Sequence, residues 1–162
     1  MPAGAIRALD VSVAAEEIPM EPNELGAWGV DWAWGLPLII VTVVFHAYGL
    51  SLIHKGIFPK LRKASSSAFV VGRAALAATV LHALEVICWA IIYRLVGAIP
   101  NNRSAVLYSL NALTSYGHVD IQLAAHWSLL GALEALNGWI LFGLTTAFLF
   151  TVFQRVWLNS TE

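Results

Sequence analysis

Three apolar runs separated by short polar stretches set the plan of the chain. They occupy about residues 36–53, 68–98 and 125–157. Each falls in or above the range of roughly 17 to 25 residues that a membrane-spanning helix needs, the first at about 27 Å only just so. The second, about 31 residues or roughly 46 Å as a helix, has length to spare and predicts tilt or extension past the hydrocarbon. Residues 107–121, LYSLNALTSYGHVDI, break this pattern. They follow Pro100-Asn101-Asn102, which reads as a turn, and Ser104 is placed to cap a short helix over about residues 105–113. Such a helix would be only roughly 14 Å long, too short to span. The spacing predicts a segment, residues 103–121, that dips into the membrane and comes back.

Composition agrees. The chain of 162 residues is 59% hydrophobic and 12% charged, with a mean hydropathy of +0.72, against roughly 45–50% apolar and 25% charged residues in soluble domains. It reads as an all-α integral membrane protein with the lipid bilayer as its surroundings. A net charge of -1 provides no basic footprint for nucleic acid. The single cysteine, Cys88, excludes an intrachain disulfide and reads as a packing residue.

Polar residues divide the chain into three regions. Residues 1–34 read as an acidic arm carrying Asp10, Glu16, Glu17, Glu21 and Glu24, ending in Trp28, Trp32 and Trp34 at a membrane interface. Residues 35–67 hold the first span and a connection crowded with Lys55, Lys60, Arg62 and Lys63. The positive-inside rule assigns that connection to the cytoplasm. The arm is then extracytoplasmic, the C-terminus cytoplasmic, and the setting a multi-pass protein of the cell (inner) membrane. Residues 68–158 hold the outer helix, the dipping segment and the inner helix.

Non-helical backbone at membrane depth is tolerated only where protein buries it or where it lines a watery cavity. Residues 103–121 therefore read either as a pore loop or as a plain turn between two spans. A short helix aiming its C-terminal end into such a cavity would place partial negative charge there and favour cations. On the residues just quoted, the run resembles the pore helix and selectivity filter of the tetrameric potassium-channel superfamily, whose filter pattern is Thr-Thr-Val-Gly-Tyr-Gly-Asp. Ser109, Leu110, Leu113, Thr114, Gly117 and Asp120 match the family, and Ser115 replaces a threonine. Tyr116, His118 and Val119 stand where the family has valine, tyrosine and glycine. The resemblance implies a homotetrameric, potassium-channel-like pore domain in which Thr114, Ser115, Tyr116, Gly117, His118, Val119 and Asp120 form the filter. Its departures imply altered selectivity among permeant cations, potassium or sodium, because β-branched Val119 resists backbone angles that glycine allows. The third run is similar to the family's inner helix. The resemblance implies that Glu134 braces the structure behind the filter and that Gly138 is a gating hinge.

Other polar residues in the apolar runs carry further expectations. Under fourfold symmetry His118 and Asp120 would form rings able to bind a divalent metal ion; equally, His118 can pack and Asp120 can fix the loop. Asn111, Thr114 and Ser115 suit a cation path or a purely structural role. His82 and Glu85 lie one turn apart near mid-membrane, where an unpaired charge costs at least roughly 2.5 to 3.5 kcal/mol, so Glu85 needs a proton or a partner. His46 and His82, at similar depth on adjacent spans, also fit the two axial ligands of a membrane haem. No Ser-His-Asp set, phosphate loop, HExxH or CxxC is present, so the residues give no support to an enzyme, and the channel reading needs no cofactor. A pore fold that does not conduct and serves assembly or sensing is the alternative that Val119 favours.

Overall fold

The computed structural model describes residues 22–61, 67–117, 121 and 123–158. They form helices α1 (Pro22–Leu61), α2 (Ser67–Leu95), α3 (Asn102–Leu113) and α4 (Ser128–Leu158), with a 3-10 turn at Ala125–Trp127 leading into α4. Among the described residues there is no strand. Stretches of α1, α2 and α4, Trp28–Gly56, Ala68–Leu95 and Ser128–Leu158, are long and apolar enough to cross a membrane. The expected all-α architecture, with three helices long and apolar enough to cross a membrane, is thus the one observed among the described residues.

α1 is longer than its apolar run. It includes Trp28, Trp32 and Trp34 and continues through Lys55 to Leu61, so the aromatic cluster and part of the basic connection are helical. Pro37 lies inside it and removes one backbone hydrogen bond, a loss that transmembrane helices tolerate when neighbours cover the site. Elsewhere α1 packs closely on its neighbours. A Cβ added to Gly35 would come within 2.5 Å of Leu133 on α4, and one added to Gly49 within 2.7 Å of Leu81 on α2. Small residues allow such approach where lipid supplies no hydrophobic drive between helices.

The contacts fix the helix directions. Val70 and Ala74, early in α2, pack with Val152 and Val156, late in α4. At the other end Trp89, Ala90 and Tyr93 of α2 meet Leu130 and Leu133 of α4, flanked by Leu38 and Ile39 of α1. α1 and α4 therefore run one way and α2 the other. α2 closes at Gly97, whose φ of 71° suits glycine, with the Ala98 amide donating to the Tyr93 carbonyl at 2.9 Å. Arg94 holds the turn that follows, donating to the Ile99 carbonyl at 2.9 Å and to Asn102 Oδ1 at 2.6 Å.

α3 starts three residues earlier than the sequence suggests, because Asn101 rather than Ser104 is its N-cap. The Asn101 side chain accepts from the Arg103 amide at 2.8 Å. From there α3 runs back beside α2. Ala105 and Tyr108 join the cluster around Tyr93, while Leu113 at its far end packs with Val86 of α2 and Leu141 of α4. The end of α3 thus lies well inside the bundle, about ten residues along α4, or roughly 15 Å from the start of that helix.

Candidate functional site

Among the described residues, two clusters of three or more polar side chains are buried in this apolar bundle. The first seats the end of α3. Tyr93 of α2 donates its hydroxyl to Glu134 Oε2 of α4 at 2.6 Å, and Ser109 of α3 lies 2.5 Å from Glu134 Oε1 and 2.9 Å from the Val86 carbonyl. Ser109 has one proton for two acceptors. The network closes when Glu134 carries its own proton and donates to Ser109 Oγ, which then donates to Val86. Glu134 and Ser109 are wholly buried, so a carboxyl satisfied by two hydroxyls is far better placed than an unpaired anion. One turn further along α4, Gly138 abuts the Leu113 backbone carbonyl, and a Cβ there would overlap it. Beside this, Asn137 donates to Thr42 Oγ1 at 2.9 Å, tying α4 to α1.

Beyond Leu113 the chain turns sharply. The Thr114, Ser115 and Tyr116 amides donate back to Leu110, Ala112 and Asn111 at 3.1, 2.9 and 3.0 Å. Ser115 adopts a φ of 54° and Gly117 one of 96°. Positive φ at a residue with a side chain is uncommon, and the turn's hydrogen bonds hold it at Ser115. Thr114, Ser115, Tyr116 and Gly117 are exposed in the single chain, and Trp139 of α4 donates from Nε1 to Ser115 Oγ at 2.9 Å. The other expected filter residues, His118, Val119 and Asp120, lie outside the described residues.

The second cluster joins α1, α2 and α4. Glu85 Oε1 is 2.6 Å from His46 Nδ1, and Glu85 Oε2 is 3.1 Å from His82 Nδ1. Thr145 Oγ1 is 2.9 Å from His46 Nε2 and 3.0 Å from His82 Nε2. The partners that an intramembrane Glu85 requires are the two histidines. Their ring centroids lie 4.9 Å apart. All four ring nitrogens are engaged by Glu85 and Thr145, and rings this close leave no room for a haem iron between them.

Several functional positions escaped the sequence reading. Tyr93 is an aromatic in an apolar run, indistinguishable by pattern from a packing residue. Thr145 was legible only as a small polar residue far from any partner in sequence. Asp31, which falls within residues 1–34, is buried against the Leu129 and Leu130 amides at the start of α4, with Oδ1 unpartnered among the described residues so that any capping bond falls to Oδ2. It caps that helix from a neighbouring one. Asp31→Ala should destabilise the protein by about 1 to 2 kcal/mol, read as a lower unfolding midpoint in detergent, whereas substitution of exposed Trp32 should leave the midpoint unchanged.

No family model, no curated protein and no solved structure matches this chain.

Proposed function

We propose that the chain is a subunit of a tetrameric cation channel resembling potassium channels, conducting passively through a re-entrant pore loop. The observation that carries this reading is the course of α3. A helix of twelve residues, roughly 18 Å, leaves the end of α2, runs back into the bundle and stops at Leu113 beside Gly138, after which the chain must return to the start of α4. Its C-terminal end brings about half an elementary negative charge to that depth, favouring a cation. One such loop encloses no axial path, whereas four related by a fourfold axis do.

In this reading Ser115 to Val119 form the altered filter, Asp120 stands at its mouth, and the exposed face of α4 lines the inner cavity. Thr114 and Ser115 serve the inner end of the filter, and Glu134 holds the pore helix against the outer helix. His118 and Asp120 add rings that can retain a divalent cation. The basic connection places the N-terminus outside and the C-terminus in the cytoplasm of the cell membrane.

Proteoliposomes loaded with potassium, sodium or calcium test this. Wild-type protein should pass at least one of these ions, and His118→Tyr/Val119→Gly should shift the preference toward potassium. A wild type that is silent while the double variant conducts would mean a pore fold whose filter its own sequence closes, used for assembly or sensing. A stable monomer with neither form conducting would sink the channel reading.

A further inference from the structure

The cluster of His46, His82, Glu85 and Thr145 neighbours the seat of α3, Glu85 standing next to the Val86 that packs on Leu113 and Thr145 about two turns past Gly138, but none of its four members touches α3 in the hydrogen bonds that hold it. Its hydrogen count is informative. Four contacts need four protons. Thr145 supplies one, leaving three on two imidazoles and a carboxyl, which makes the set neutral. A second arrangement uses the same atoms differently. The Thr145 oxygen has two lone pairs and can accept from both Nε2–H groups at once, fixing one tautomer on each ring. Both Nδ1 lone pairs then face the two Glu85 oxygens. Four acceptors pointing at one another need a cation between them.

From this we infer that His46, His82 and Glu85 form a binding site for a divalent transition-metal ion of the zinc class, with Thr145 as the residue that orients both imidazoles. Two histidines and one carboxylate are a known zinc donor set that leaves a further position for water or an anion. A hydrogen-bond partner on the far nitrogen of each ligating ring is the usual support for such a site. The candidate ligand atoms lie within 4.8 Å of one another. His46 and Glu85 are wholly buried, and the Phe142 ring covers His82 with centroids 4.6 Å apart. For an ion about 2.1 Å from each ligand in a tetrahedral site, the ligand atoms stand roughly 3.4 Å apart, so the 2.6 and 3.1 Å nitrogen–oxygen separations have to open and the widest separation, within 4.8 Å, has to close as the imidazoles turn. Going from the proton-filled ring to the metal-filled one, the ion enters and one proton leaves. The ion would clamp α1 to α2, with α4 supplying the orienting hydroxyl.

The probe is cobalt(II) alone, added to chelator-treated full-length protein in detergent. Wild type should take up about one cobalt per chain, develop visible ligand-field bands without a thiolate charge-transfer band, and release about one proton per ion. Zinc should displace the cobalt and raise the unfolding midpoint. The uptake of about one cobalt per chain should vanish in His82→Gln and Glu85→Gln, persist in His54→Ala, and weaken about 10- to 100-fold in Thr145→Val, which leaves every ligand in place. If wild type takes up no cobalt, the cluster is a hydrogen-bonded ring of protons only and the inference fails; this measurement does not depend on any variant folding. It fails equally if a thiolate band places the ion at Cys88, or if uptake is lost in His118→Ala and kept in His82→Gln. None of these readings depends on ion flux, so the site and the channel stand or fall separately.

Discussion

Gly138→Ala is expected to destabilise the protein although alanine is the better helix former. The exchange gains about 1 kcal/mol of helix propensity. Against this, the new methyl group overlaps the Leu113 carbonyl, and backbone, unlike the end of a flexible side chain, cannot turn aside. Either α3 shifts outward or α4 bends. Overpacking of this kind commonly costs about 1 to 3 kcal/mol, occasionally more, so a net loss of roughly 2 kcal/mol is expected in detergent unfolding. Gly143→Ala is the control on the same helix. Nothing lies within 4 Å of a Cβ there, and the same propensity gain should appear uncancelled. Equal behaviour of the two variants would show that Gly138 is not a contact point. The resemblance assigns Gly138 a hinge role; the geometry gives it a second reason to be glycine, as the seat on which α3 ends.

Glu134 separates a charged brace from a neutral one. Truncation to alanine strands the Tyr93 hydroxyl in a dry core, takes from Ser109 its second partner while leaving its bond to the Val86 carbonyl, and leaves a cavity. Unsatisfied buried groups cost about 1 to 3 kcal/mol apiece, so a loss of roughly 3 kcal/mol or more is expected. Glu134→Gln should lie within about 1 kcal/mol of wild type. Its amide nitrogen can donate to Ser109 while its oxygen accepts from Tyr93, reproducing the bonds of the protonated acid. If the glutamine variant proves as unstable as the alanine one, Glu134 is an anion and Ser109 its donor. Chemical unfolding of the three proteins side by side decides between them.

What the sequence made legible follows from what repeats locally. The spans stood out because apolar runs of that length have few alternatives, and the short helix because Pro100, Asn101 and the polar residues after Leu113 bracket it. Its start was misplaced at Ser104 because Asn101 and Ser104 are both good caps, and only the turn held by Arg94 selects between them. His82 and Glu85 advertised themselves by spacing on one helix. His46 was set beside His82 from the sequence, but as a haem ligand rather than as a partner of Glu85, and Thr145 could not be read at all, lying 63 positions from its partner on α2. For the same reason Asp31 passed unmarked within residues 1–34. Helix direction and rotation, which bring such residues together, come from close contacts such as Gly35 on Leu133 and leave only a faint trace in composition.

Each buried polar cluster draws a member from α4: Glu134 for Tyr93 and Ser109, Asn137 for Thr42, Thr145 for the two histidines. α4 is also the last of these helices to leave the ribosome. During synthesis, α1 and α2 therefore occupy the bilayer with several polar groups still wanting their final partner, and α3 has no seat until residue 138 arrives. The hydrogen bonds inside the bundle are therefore complete only once α4 has been made, and α1 and α2 without α4 would hold Tyr93, Thr42 and both histidines short of a partner.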